Sequence, residues 1–147
     1  MQVKFYDSVD DALLKFAVII SKTGDKWVFC KHKERDTYEV PGGHRESGET
    51  IDETAKRELQ EETGAEEFTI EPVCVYSVTG KNRVNDAGDE MFGKLYLAHI
   101  SKFAKELHSE MEKVIISDEL PTEWTYPLIQ PMLIKEAERR GFLPVPD

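Results

Sequence analysis

Three glutamates, Glu58, Glu61 and Glu62, crowd into a stretch of five residues whose pattern is helical. Like charges three and four positions apart repel one another on a helix surface. Such a cluster persists only where water screens it or a cation neutralises it. At about 100° per residue, Ile51, Ala55 and Leu59 form one apolar stripe. Glu62 falls roughly within that stripe, Glu58 lies at its edge and Glu61 just beyond. A carboxylate on the side that turns toward the protein body must be paired or must bind metal, because an unpaired buried charge is too costly. The donors on offer are all oxygens, which suits a hard cation such as Mg²⁺ or Mn²⁺.

The helix that carries these carboxylates is predicted over residues 51–63. Thr50 and Glu53 have the spacing of a capping box, with Thr50 as the N-cap. Gly64 supplies a residue that can take positive φ at the other end. Ahead of the helix, Pro41-Gly42-Gly43 reads as a turn whose backbone can approach a ligand closely. A metal held between a glycine turn and a carboxylate helix is a natural place to dock a diphosphate.

The most basic local run is Lys31-His32-Lys33-Glu34-Arg35. His32, Lys33 and Arg35, together with His44 after the double glycine, are candidates for phosphate contacts, although a surface loop would carry the same residue types. Trp124 and Tyr126 either stack on a nucleobase or anchor the last helix by burying their large apolar area.

Strands are predicted at Val3–Tyr6 and at Tyr38–Val40. Phe16–Ile20 and Trp27–Cys30 flank Lys22-Thr23-Gly24-Asp25, a hairpin signal. Glu66–Thr79 alternates well enough for strands around Pro72, and Gly80–Glu90 is rich in loop formers. Met91–Ile100 is a strong strand, with Leu95, Leu97 and His99 on one face and Tyr96, Ala98 and Ile100 on the other. A charged connection (Lys102–Lys113), a short strand (Val114–Ser117) and a turn at Asp118–Pro121 follow. The last helix spans about residues 128–140, with Leu128, Ile129, Met132, Leu133 and Ala137 on its apolar face and Gly141 at its end. Pro131 leaves two options there: an irregular first turn, or a regular helix that starts at Pro131. Strands on both sides of one central helix, plus a C-terminal helix, predict an α/β class with a mixed sheet between helices.

Length and composition bound the rest. The 147 residues suit one domain, 1–147, and 39% hydrophobic with 33% charged residues is ordinary for a soluble globular chain. No apolar run approaches the ~20 residues of a membrane helix, and Met1-Gln2-Val3-Lys4 lacks a secretory pattern, so a cytoplasmic location is expected. Cys30 and Cys74 sit in strand-like segments without metal spacing and read as buried free thiols, consistent with a reducing compartment. A net charge of −10 argues against a large nucleic-acid surface. A small phosphorylated substrate is still compatible, because cations can bridge a polyanion to an acidic site.

Gly43, Glu49, Arg57, Glu58, Leu59, Glu61, Glu62, Gly64 and Ala65 match every fixed position of the pattern G-x5-E-x7-R-E-U-x-E-E-x-G-U, where U is aliphatic. Ala65 is small for its position. On these residues the chain resembles the Nudix hydrolases, whose fold is an α/β/α sandwich. The resemblance implies hydrolysis of a nucleoside diphosphate linked to another group. By that analogy Glu58 and Glu62 are the metal ligands, Glu61 assists as ligand or base, and the Gly42 carbonyl is a further ligand. Glu49 and Arg57 are implied to form an ion pair that positions the motif, with a direct chemical role for Arg57 as the alternative. Family members often take another acidic ligand or base from a late loop, for which Glu110 is the first choice and Glu112 the second. The undecorated build is similar to MutT-type nucleoside triphosphate pyrophosphohydrolases, some of which act on 8-oxo-dGTP. Gly80-Lys81-Asn82-Arg83 shows neither the proline of ADP-ribose enzymes nor the tyrosine of dinucleoside polyphosphate enzymes. Those substrates and RNA 5′ ends are the alternatives within the family, and a non-catalytic nucleotide-binding module is the alternative outside it. The family's habit of dimerising also admits a homodimer.

Overall fold

A two-residue turn sets the register of the sheet. Thr23 pairs with Lys26 across Gly24-Asp25, and Gly24 takes φ +59°, as tight hairpins require. The strands it joins are β2 (Leu14–Thr23) and β3 (Lys26–His32), both longer than their apolar centres. The computed structural model describes residues 1–80, 88–105 and 111–144, with the backbone alone at 111 and 112. Among these, the remaining elements are β1 (Gln2–Tyr6), β4 (Tyr38–Glu39), β5 (Gly42–His44), α1 (Ile51–Thr63), β6 (Ala65–Thr79), β7 (Met91–Phe103), β8 (Met111–Ser117) and α2 (Gln130–Arg139).

The strands form one sheet in the order β1-β6-β7-β2-β3-β4, with β5 also on β2 and β8 on β3. The sheet is mixed because β2 runs parallel to β7 while the other pairs are antiparallel. Side chains of β7 alternate between its faces. Tyr96, Ala98 and Ile100 join Ile51, Ala55 and Leu59 of α1 in one core. Leu95 and Leu97 join Ile129, Leu133, Ile134 and Ala137 at α2 in the other. The sheet thus lies between two helices, the expected α/β/α arrangement. Burying a side chain such as Leu59 or Leu133 completely stabilises each attachment by about 1.5–3 kcal/mol. No helix among the described residues is long and apolar enough to cross a membrane. Cys30 and Cys74 are buried and free, as read from the sequence.

Several local expectations change, and the two options at Pro131 are resolved. Pro41-Gly42-Gly43 is no turn: Gly42 and Gly43 lie in β5, paired with Val18 and Ala17. Neither glycine has positive φ. They are small because a Cβ on Gly42 would collide with the Ala17 carbonyl, and one on Gly43 with the Glu58 carboxylate. The Glu66–Thr79 region is one continuous strand, with Pro72 accommodated at a register shift between Pro72 and Cys74. In α2, Pro131 occupies the first turn, preceded by an irregular turn in which both Ile129 and Gln130 donate to the Tyr126 carbonyl. Leu128 (62% exposed) precedes the helix and Met132 (42% exposed) faces outward, so Ile129, Leu133, Ile134 and Ala137 form the buried face. His99 is exposed, and β7 continues to Phe103 into the expected connection. Of the expected Gly80–Glu90 loop, residues 81–87 lie outside the described residues.

Candidate active site

Capping holds α1 in place. Thr50 Oγ1 accepts the Glu53 N–H at 3.1 Å, and Glu53 Oε1 accepts the Thr50 N–H at 2.9 Å. A cap of this kind contributes about 1 kcal/mol. Gly64 ends the helix at φ +74°. With Ile51, Ala55 and Leu59 locked against the sheet, Glu58 and Glu62 are carried to the rim of a cleft of about 630 Å³. That volume suits one nucleotide-sized ligand.

Glu62 is 6% exposed. Its Oε1 accepts the Gly42 N–H at 3.1 Å, whereas its Oε2 is buried with no hydrogen-bond partner. Burial and the neighbouring Glu58 charge push its carboxyl well above the ordinary carboxylate range, and Gly42 pulls the other way. A buried carboxylate oxygen without a partner is costly, and Glu62 lines a cleft to which Glu58 and Glu61 also contribute carboxylates. That donor set fits a hard divalent cation. No group of three or more His, Cys, Asp or Glu among the described residues encloses a metal by itself. The Glu58–Glu62 pair would therefore share the ion with substrate phosphates and water, which is how Mg²⁺ is commonly held.

Arg57 organises the surrounding acids. Its Nε lies 2.6 Å and its Nη2 3.0 Å from the two Glu49 oxygens. Nη1 donates to Glu58 Oε1 at 2.7 Å and to Glu61 Oε2 at 3.3 Å, and Nη2 also donates to the His44 carbonyl at 3.1 Å. Planar guanidinium geometry makes this simultaneous grip available. The Arg57 bonds, helped by the Glu46 N–H and the Thr54 hydroxyl, hold the Glu49 carboxyl down at about 2. The Glu49–Arg57 pair is thus present, and the same guanidinium also holds Glu58.

Of the residues singled out for substrate, His32, Arg35, His44 and Tyr126 line the cleft. Lys33 does not: it is exposed on the loop after β3. Trp124 is also elsewhere, packed against the α2 core and bridged to Tyr38, because its ring completes the apolar layer under α2. Glu110 and the Glu112 side chain lie outside the described residues. Residues that the sequence reading did not single out for the site also line the cleft, among them Phe16, Glu39, Tyr76 and Gln130. Gln130 carried a signal, as a polar residue on the apolar side of the last helix. Its Oε1 accepts the Val40 N–H at 2.9 Å, which fixes its amide. Glu39, 7% exposed, is paired with Arg35 at 3.2 Å. The Phe16 and Tyr76 rings are tilted by 54° with 5.6 Å between centroids, and the His44 ring meets Phe16 edge-on at 6.0 Å. The cleft therefore has an acidic, oxygen-lined end and an aromatic end.

Known proteins share the fold and the sequence pattern. The NUDIX domain matches residues 13–126. A Bacillus subtilis (strain 168) protein named "Putative 8-oxo-dGTP diphosphatase YtkD" is 33% identical over 122 residues, 82% of this chain and 73% of its own. The Bacillus subtilis pyrophosphohydrolase BsRppH superposes with a TM-score of 0.76 at 26% identity, covering 95% of this chain and 92% of that one. The NUDIX domain of Shewanella oneidensis NrtR, solved with ADP ribose, superposes with a TM-score of 0.64 at 20% identity over 86% and 87% of the two chains, a likeness of fold alone. A domain match across most of the chain, with a relative one-third identical over four-fifths of it, makes this chain a member of the Nudix hydrolase family.

Proposed function

We propose that this protein is a Mg²⁺- or Mn²⁺-dependent pyrophosphohydrolase of nucleoside triphosphates, with an oxidised guanine nucleotide such as 8-oxo-dGTP as its substrate, yielding the monophosphate and pyrophosphate. The observation that carries the reading is the partnerless Glu62 Oε2 at the acidic end of a cleft whose other end is aromatic. One end suits a metal-bridged diphosphate and the other a stacked base. The similarity to the Bacillus subtilis relative named for 8-oxo-dGTP supports the choice of substrate.

Glu58 and Glu62 would hold the cation, with the Gly42 carbonyl as a further ligand. When bound, the cation supplies charge stabilisation for the phosphates and lowers the pKa of water. The chain's own residues do the rest. Gly42 N–H and the Arg57 fork hold the two carboxylates in place. Glu61, half-exposed and tethered to Arg57, takes the proton of the water that attacks one phosphorus while pyrophosphate leaves. Arg35, His32 and His44 contact phosphate oxygens, and the Phe16, Tyr76 and Tyr126 rings enclose the base.

The test is product analysis by mass spectrometry after incubation with Mg²⁺ and dGTP, 8-oxo-dGTP, ADP-ribose and diadenosine tetraphosphate. Monophosphate plus pyrophosphate from a triphosphate, fastest from 8-oxo-dGTP, is the expected result. Cleavage of the last two alone would discard the substrate assignment. Tight binding with every nucleotide intact would discard the enzyme.

A further inference from the structure

Glu39 is in an electrostatically unfavourable place. It ends the two-residue strand β4, is 7% exposed, and lines the same cleft as Glu58 and Glu62. With Glu46, Glu58, Glu61 and Glu62 also lining it, a fifth carboxylate adds negative charge to a cleft read as binding a polyanion. Its partner explains the choice. Arg35 lies four residues earlier, on the loop joining β3 to β4, and its Nη1 donates to Glu39 Oε2 at 3.2 Å. Only that single nitrogen–oxygen contact joins them. The guanidinium has five N–H donors in a fixed fork, so most remain for another acceptor, and its side chain is 31% exposed at the cleft wall.

The strand bearing Glu39 is firmly held. Tyr38 N–H donates to the Glu123 carbonyl at 2.8 Å, Thr125 N–H donates to the Tyr38 carbonyl at 2.9 Å, and the Thr37 and Thr125 hydroxyls lie 2.7 Å apart. Arginine on a loop otherwise loses rotamer freedom when it binds. A carboxylate mounted on a strapped strand removes that freedom in advance.

We infer that Glu39 is a positioning residue whose buried carboxylate tethers the Arg35 guanidinium over the cleft, so that a phosphate of the substrate meets a pre-oriented cation. This rests on the pyrophosphohydrolase reading given above. The inference has an unusual sign. If Glu39 only contributed charge, neutralising it would strengthen anion binding. If it tethers Arg35, neutralising it weakens anion binding.

The experiment is calorimetric titration with inorganic pyrophosphate in Mg²⁺ buffer, on wild type, Glu39→Leu, which removes both the charge and the acceptor, Arg35→Ala and the double variant. Glu39→Leu is expected to weaken pyrophosphate about tenfold, a typical coupling between contacting residues. In the Arg35→Ala background the same change is expected to strengthen binding, because only the lost negative charge is left to act. Tighter or unchanged binding by Glu39→Leu in the wild-type background overturns the tether, as does an equal effect in both backgrounds, or no binding to wild type. Thermal unfolding of each variant reports folding. If Arg35→Ala does not fold, Arg35→Gln, which still donates to Glu39, replaces it. The two readings fail separately. A tether effect with nucleotides left intact discards the hydrolase, whereas turnover with no tether effect discards only the role of Glu39.

Discussion

Arg57 holds Glu49 through two nitrogens, Nε at 2.6 Å from one carboxylate oxygen and Nη2 at 3.0 Å from the other. The same guanidinium reaches Glu58 at 2.7 Å. One side chain therefore links the loop before α1 to the proposed metal ligand in the middle of α1. Whatever loosens Glu49 loosens Glu58.

The pH dependence of this link follows from its sign. The Glu49 carboxyl is held down at about 2 in the folded protein, against about 4.3 for an unperturbed glutamate. A depressed folded value means that the unfolded chain takes up the proton first as pH falls. The contribution of the pair to stability is complete above about pH 4.5, shrinks below it and is gone near pH 2. Calorimetric melting of wild type and Glu49→Gln should show a constant gap from neutral pH down to that point, closing as acid is added. A gap that persists unchanged to pH 2 would remove Glu49 as the titrating partner.

Glu62 has the opposite sign. Its folded carboxyl is raised by burial and by Glu58, so the metal-free protein loses stability as pH rises from about 4.3 through the folded value. Glu62→Gln keeps an acceptor for the Gly42 N–H and removes the buried charge. Without metal the variant should melt higher than wild type at neutral pH, and the difference should vanish near pH 4. Adding Mg²⁺ should raise the melting temperature of wild type and leave the variant unmoved. Turnover should fall about a hundredfold or more, the scale of several kcal/mol of lost transition-state stabilisation. Near wild-type turnover of the folded variant would overturn the assignment of Glu62 as a ligand.

These predictions depend on both local and distant relationships, and only the local ones were legible in the sequence. The span of α1, its capping box and its Gly64 terminus follow rules that operate within four residues. So does the hairpin at Gly24. Gln130 belongs to the cleft through a bond to Val40, 90 residues away, and no local pattern encodes that. Glu39 was hidden for a related reason, since a two-residue strand leaves no period to read. Pro41-Gly42-Gly43 was legible as special but not as a strand. Glycine serves both positive φ and close approach, and only the position of Ala17 and Glu58 decides between them. Trp124 and Tyr126 had equal claims on the base; both pack against the α2 core, and of the two Tyr126 alone also lines the cleft.

Gly43 gives a prediction that separates function from stability. A Cβ there would stand well under 3.0 Å from the Glu58 carboxylate. The obstacle is the end of a flexible side chain, so the fold can yield at little cost. The carboxylate cannot yield without leaving Arg57 Nη1 and its place beside Glu62. Gly43→Ala should melt within a few degrees of wild type, yet bind Mg²⁺ and turn over about ten- to hundredfold worse, as misplaced metal-site geometry typically does. Metal titration followed by intrinsic fluorescence, alongside kcat, reads both. Unchanged Mg²⁺ affinity would mean that the Glu58 position in this cleft is not that of a ligand.

Gly93 tests the aromatic end in the same way, with the balance reversed. It lies in β7 opposite Phe16, and a Cβ would run into the Phe16 ring and crowd Tyr76. Both rings are buried, 8% and 2% exposed, so neither can yield as cheaply as the end of a flexible chain. Overpacking of this kind costs about 1–3 kcal/mol, so Gly93→Ala should lower the melting temperature. The ring that can move into open space is Phe16, toward the cleft it lines. That displacement should narrow the space for a base and leave the carboxylates of α1 untouched. The expected kinetic signature is a raised KM for the nucleoside triphosphate with kcat little changed, because uniform binding is lost and the reacting groups are not. Inorganic pyrophosphate, which has no base, should inhibit wild type and variant equally. A loss confined to kcat, or weaker inhibition by pyrophosphate, would place the effect of Gly93 at the acidic end and remove the Phe16–Tyr76 pair from base binding.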